Sequence, residues 1–193
     1  MRIVEMILNE ESETQGVYAV SVVESPAIEE NWVALNKHFI ELKSVDEEKK
    51  ILMGAALIPN KQILRYDKEI GEYYIYFSKD TIKKTSELFL KRNNQNNATY
   101  EHEIKVGGLH VVESWIVENS KIDKSANYGF DLPVGTWVIT MKVENEDIWN
   151  KVKAGDIKGF SIEGLFSSND ENLSKQKDEE TILEQIIDLL KNA

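Results

Sequence analysis

The sequence predicts a mainly β chain with a few covering helices, an α+β fold. Three observations predict it. Short runs rich in β-branched and aromatic residues recur through the first 166 residues. Turn-forming residues separate those runs. Only two inner segments carry apolar residues at helical spacing. Many short strands with few helices favour an antiparallel sandwich or barrel.

The elements follow in order. Ile3–Leu8 and Val17–Val23 read as strands, and Ser25-Pro26 breaks the chain because a residue before proline is pushed to extended geometry. Trp32–Leu35 and Phe39–Leu42 are further short apolar runs. Asp46–Lys50 is charged and reads as a solvated turn or short helix. Ile51–Ile58 reads as a buried strand ended by Pro59-Asn60, and Glu72–Phe77 as an aromatic strand. A helix is expected over about Asp80–Lys91, capped by Ser78 or Asp80, with Ile82, Leu88 and Phe89 inward. Asn93–Asn97 is a polar loop. Ala98–Val106, Leu109–Val117, Trp137–Val143 and Ile157–Phe166 are four more strands. A second helix runs from about Glu146 to Lys153, between the cap Asn145 and the stop Gly155.

The organisation is a domain over residues 1–166, a polar linker over 167–177, and a tail helix over 178–193. In that tail Ile182, Leu183, Ile186, Ile187 and Leu190 form an amphipathic stripe. The stripe docks either on its own domain or on another chain, such as a scaffold protein.

Charge and composition exclude several functions. With 23 Lys and Arg against 34 Asp and Glu, the net charge is −11. That opposes nucleic-acid binding, which needs cations to displace phosphate counterions, and docking on anionic lipid. The chain has no cysteine, so disulfides, thiolate nucleophiles and Cys-ligated zinc are excluded. No apolar run approaches the ~20 residues of a membrane span, and the N-terminus lacks the apolar core of a signal peptide. The protein is expected to act where it is made. Neither a phosphate loop, a dinucleotide fingerprint, a His-Glu-x-x-His site nor a Gly-x-Ser-x-Gly elbow occurs, so no metal and no cofactor are expected.

Three histidines, His38, His102 and His110, bound any imidazole chemistry. In Lys158-Gly159-Phe160-Ser161-Ile162-Glu163-Gly164, strand alternation puts Ser161 and Glu163 on one face and Phe160 and Ile162 on the other. The flanking glycines suit close approach of another backbone. By itself the pattern equally describes a surface serine on an edge strand. A nucleophilic serine needs a base, because a free hydroxyl is barely ionised at neutral pH. His102 on a strand shares the more apolar face with Tyr100 and Ile104. Most such histidines are structural. Glu113 alternates with Val111, Trp115 and Val117, and a carboxylate on an apolar face needs a partner. His102 and Arg65 are candidates for that partner. Glu163 and Asp156 are other acids, nearer Ser161 in sequence.

The stretches Gly16–Glu29 and Gly71–Ser78 resemble phage proteins of the XkdF type, as do Glu101-His102-Glu103, Glu113-Ser114-Trp115, Gly135-Thr136-Trp137 and Gly159–Gly164. The resemblance covers about residues 1–166 and lies in the joint order of the motifs. It implies a prohead serine protease distantly related to herpesvirus assemblins, with a herpesvirus-protease-like β-barrel. It implies a serine endopeptidase that cuts phage scaffold and major capsid protein segments during head maturation, in the host cytoplasm inside the assembling prohead. The wider group uses a histidine and then a serine in a Gly-[aromatic/Leu]-Ser-Ile-x-Gly-like strand. Here these are His102, the base, and Ser161, the nucleophile. Assemblins add a second histidine after the serine, and no histidine follows Ser161. The third member is then an acid, or His110 or His38, and Glu113 is the choice made here. The oxyanion donors stay open among backbone amides near Gly107-Gly108 or Gly135 and a basic side chain. The alternative is a non-catalytic capsid-assembly or scaffold-binding protein on the same fold, with self-association or scaffold contact through the tail helix.

Overall fold

The computed structural model describes residues 2–24, 43–46, 49–68 and 71–169. They form twelve strands and two α-helices. The strands are β1 (Ile3–Ile7), β2 (Gly16–Val23), β3 (Lys43–Asp46), β4 (Ile51–Leu57), β5 (Ile63–Asp67), β6 (Gly71–Phe77), β7 (Ala98–Tyr100), β8 (Ile104–Lys105), β9 (Leu109–Ile116), β10 (Trp137–Val143), β11 (Gly159–Leu165) and β12 (Ser167–Ser168). The helices are α1 (Lys79–Lys91) and α2 (Glu146–Ala154). Three four-stranded sheets result, in the orders β12-β1-β6-β5, β3-β4-β10-β9 and β11-β2-β7-β8.

The helices begin and end where their sequence requires. The Ser78 hydroxyl accepts from the Thr81 amide at 3.4 Å, and the Asn145 side chain from the Ile148 amide at 3.1 Å. Each satisfies one amide that the first turn leaves without a partner. Gly155 closes α2 at φ 77°, a left-handed conformation that glycine adopts without a Cβ clash. Ile82 and Phe89 of α1 are fully buried. Phe89 meets Trp137 of β10 edge to face, with ring centroids 5.4 Å apart. Burying side chains of this size contributes about 1.5–3 kcal/mol each. Val20, Val22, Leu52, Ile139 and Met141 join them in one core that the sheets and both helices share.

The α+β expectation holds, with mainly β structure and two helices. The closed, herpesvirus-protease-like barrel does not: the sheets are open, ending on β12 and β5, β3 and β9, and β11 and β8. Closure requires one continuous ladder. Here β1 pairs with β6 and β12, whereas β2 pairs with β7 and β11, so the ladder is interrupted between consecutive strands.

Other differences are local. The expected strand Ala98–Val106 is a hairpin of β7 and β8 around Glu101–Glu103. β5 was not anticipated, because only Ile63 of its five residues is buried and no apolar alternation marks it. Ser167–Ser168, placed in the linker by composition, pair with Met6 and Ile7 of β1. The expected strands Trp32–Leu35 and Phe39–Leu42, the rest of the linker and the tail helix 178–193 lie outside the described residues.

Candidate active site

β11 is an outermost strand, and β2 separates it from β7. Ser161 of β11 lies opposite Ser21 of β2, and Ser21 lies opposite Thr99 of β7. Directly opposed residues share a sheet face, with Cβ atoms about 4.5–5.5 Å apart. Three hydroxyl side chains therefore form a row across the sheet. Glu163 lies two residues beyond Ser161, on the same face. Its carboxylate accepts from the Thr99 hydroxyl.

His102 reaches this row from the turn beyond β7. The sequence placed it on a strand beside Tyr100 and Ile104. The structure instead puts Glu101 and His102 in the left-handed region, at φ 51° and 61°, with the Glu103 amide donating to the Tyr100 carbonyl at 3.1 Å. This is the pattern of a type I′ turn, which ordinarily takes Gly, Asn or Asp. An L-residue held there costs about 1–2 kcal/mol. β2 supplies the compensation. The Glu101 amide donates to the Val22 carbonyl at 3.2 Å, the His102 amide to Ser21 Oγ at 3.0 Å, and the Glu24 amide to Glu101 Oε1 at 2.5 Å. The strain thus fixes where the imidazole emerges. Such strain persists only where surroundings over-determine it, and it clusters at functional positions.

The imidazole turns to Glu163, with His102 Nδ1 3.3 Å from Glu163 Oε1. A carboxylate has no proton to give, so this contact assigns the proton to Nδ1 and leaves Nε2 as an acceptor. Neither Nε2 nor the Ser161 hydroxyl has a hydrogen-bond partner among the described residues, and no hydrogen bond joins the two side chains. Glu163 lies between them, sharing the sheet face of Ser161 and contacting the imidazole. The His102 side chain is 41% exposed and that of Glu163 16%. Ser161 is 6% exposed.

Glu113 sits elsewhere. Its carboxylate pairs with Lys124 Nζ, at 2.6 and 2.5 Å to its two oxygens, and accepts from Thr140 Oγ1 at 2.8 Å. Lys124 chiefly, by donating, holds the Glu113 pKa below the ordinary carboxylate value, with desolvation opposing. Neither His102 nor Arg65 is its partner. The register shift between Thr140 and Met141 explains this: Val112 is an extra residue, which breaks the alternation linking Glu113 to buried Val111. His110 contacts Asn96 at 2.7 Å and Glu144 at 3.6 Å, Asp156 is exposed, and His38 lies outside the described residues. Gly108 abuts Asn145 and Gly135 abuts Lys79, both at helix starts rather than at β11. The missed signal was the serine-to-glutamate spacing of two, which alternation had already placed on one face.

The glycines of the Ser161 strand behave unequally. A Cβ on Gly164 would lie 2.8 Å from the Gly16 carbonyl oxygen, so that position does mark close backbone approach. It also sits at a register shift that begins after Glu163.

A cavity of about 250 Å³ lies between β11 and residues of β4, β5 and β6. Ser161 and Ile162 form part of its wall, with Leu57, Ile63, Phe77 and Arg65 among the other lining residues. No three His, Cys, Asp or Glu side chains gather as a metal site among the described residues.

Residues 39–170 match the family described as "Putative phage serine protease XkdF". The chain belongs to this family. The XkdF match includes His102, Glu113, Ser161 and Glu163, whereas Ser21 precedes it. The chain is also similar to uncharacterized protein YqbD of Bacillus subtilis (strain 168), at 26% identity over 146 residues. That alignment covers 76% of this chain and 41% of the relative, so the chain spans about two-fifths of YqbD. No solved structure matches.

Proposed function

We propose that this XkdF-family chain is a prohead serine endopeptidase that cuts phage scaffold and major capsid protein segments during head maturation. Ser161 is the nucleophile and His102 the general base. The orienting acid is Glu163 rather than Glu113, whose carboxylate Lys124 already neutralises. The observation that carries the reading is one sheet face holding Ser161, Glu163 and an imidazole whose Nδ1 is 3.3 Å from that glutamate.

The chemistry follows from those positions. Glu163 holds the Nδ1–H tautomer, so Nε2 is the basic nitrogen. Substrate binding brings the imidazole across the Ser21 position to Ser161; apo catalytic geometry is commonly looser than in the complex. His102 Nε2 takes the Ser161 proton as Oγ bonds to the scissile carbonyl carbon. The tetrahedral intermediate collapses, the C–N bond breaks, and the proton passes to the leaving amine. Water then adds to the acyl-enzyme with His102 again as base, releasing the acid and restoring Ser161.

The test is co-expression with the phage capsid and scaffold genes, followed by mass analysis of the products. Cleavage by the wild type that disappears in Ser161→Ala is expected. Identical intact products from both would leave a non-catalytic assembly role on the same fold.

A further inference from the structure

Resting on the assignment of Ser161 as nucleophile, we propose that the cavity beside β11 receives the substrate side chain next to the scissile bond. We further infer that Arg65 makes it select an acidic residue.

The position of the cavity comes first. β11 is hydrogen-bonded to no strand on its outer side among the described residues, although β4 packs near it, so its backbone groups there carry no ladder bonds. An extended peptide laid along such an edge gains main-chain hydrogen bonds, and its alternate side chains enter whatever pockets line the edge. The residues that line this one on the β11 side include Ser161 itself and Ile162. A peptide whose carbonyl lies at Ser161 therefore places a neighbouring side chain against the cavity.

The size sets the kind of occupant. At about 250 Å³ the space is smaller than the roughly 300–1,000 Å³ that whole small ligands occupy, so it suits one side chain.

The lining sets its chemistry. Ala56, Leu57, Ile63, Ile75 and Phe77 give apolar walls. Arg65 and Tyr73 are opposed across β5 and β6, on the face that also carries Ile63 and Ile75. Arg65 donates to the Leu64 carbonyl at 2.9 Å, and no carboxylate pairs with it among the described residues. In a chain with 34 acidic against 23 basic residues, a guanidinium without an acid among the described residues is conspicuous. Arg65 is exposed as a residue, yet desolvation first lowers its pKa, opposed by the nearby Tyr73. Arginine still stays charged at neutral pH, and its planar fork fits a carboxylate through two parallel bonds. An apolar wall for the stem and a guanidinium for the head together describe a glutamate or aspartate side chain.

Two measurements separate this inference from the reading it rests on. The first digests a proteome-derived peptide library with wild type, Arg65→Gln, Arg65→Glu and Ser161→Ala, reading cut sites by mass spectrometry. Wild type is expected to favour an acidic residue beside the cut by about tenfold or more. Arg65→Gln should lose that preference, and Arg65→Glu should turn it toward Lys and Arg. Cutting with no acidic preference, or with one that Arg65→Glu leaves unchanged, would overturn the pocket and leave the protease intact. The second titrates Ser161→Ala protein, by NMR, with a blocked alanine-rich hexapeptide carrying one Glu and with its Gln counterpart. Glu-selective binding that Arg65→Gln abolishes supports the pocket even if no peptide is ever cut, and the proteolytic reading then fails alone. Equal binding of the two peptides, or none, overturns the pocket.

Discussion

Two glutamates divide the molecule. Glu163 and Glu113 each lie on a strand, next to a register shift, and each accepts a hydrogen bond from a threonine on another strand. Their remaining partners differ. Glu113 meets Lys124 in a pair whose side chains are 46% and 45% exposed. Glu163, 16% exposed, meets His102. A permanent cation in water neutralises a carboxylate and gives it nothing to control. An imidazole beside a shielded carboxylate has its tautomer set, and with it which nitrogen is left as an acceptor. The same Thr–Glu arrangement therefore serves attachment in one sheet and orientation in the other.

The comparison breaks most sharply under substitution of each acid by its amide. Glu163→Gln keeps an acceptor for Thr99 but removes the charge facing His102. Scaffold cleavage is expected to slow by about 10²–10⁴-fold, the range that positioned acid–base catalysis supplies. Glu113→Gln should leave the rate within about twofold. Rates from time courses of purified scaffold protein decide the matter. A large loss in Glu113→Gln with none in Glu163→Gln would reverse the assignment of the acid.

Ser21 gives the next effect in size, and it probes the scaffold beneath the histidine. It is fully buried, and its hydroxyl accepts from the His102 amide. Ser21→Ala leaves that amide without its acceptor at a turn already in the left-handed region. Unfolding in urea should show a loss of about 1–3 kcal/mol, the usual penalty for a polar group stripped of its partner. Cleavage should fall as well, because the imidazole loses its anchor while Ser161 and Glu163 remain. A Ser21→Ala protein with unchanged stability and unchanged rate would mean that the turn holds itself.

The degree to which this was legible in the sequence follows the range of the interactions. The caps Ser78, Asn145 and Gly155 were readable because each acts within about one helical turn of itself. Strand alternation correctly placed Ser161 and Glu163 on one face, since no bulge lies between them. It failed for Glu113, where Val112 is an extra residue, and for His102, where a turn without Gly or Asn sits inside an apparently continuous strand. Both failures come from backbone irregularities set by the neighbouring strand: β10 for one, β2 for the other. Open sheets in place of a barrel have the same origin, because strand partnership is non-local. The pairing of Glu163 with His102, 61 residues away, could only appear with the fold.

The smallest effect is a pH dependence that belongs to Glu113. Its pKa in the folded chain is lowered, first by the Lys124 hydrogen bond, with Thr140 and the Lys124 charge adding and desolvation opposing. A carboxylate with a depressed folded pKa stabilises above its unfolded value and loses that contribution as pH falls through the folded one. The gap between wild type and Glu113→Gln should therefore be present at neutral pH and close on acidification below the ordinary carboxylate range. Solvent screening of this exposed pair limits the gap to a few tenths of a kcal/mol. Thermal melts of both proteins across pH 3 to 8, at low and at high salt, would read it. A gap that widened in acid would mean that Glu113 is held in its protonated form, and the contrast with Glu163 would then no longer rest on charge.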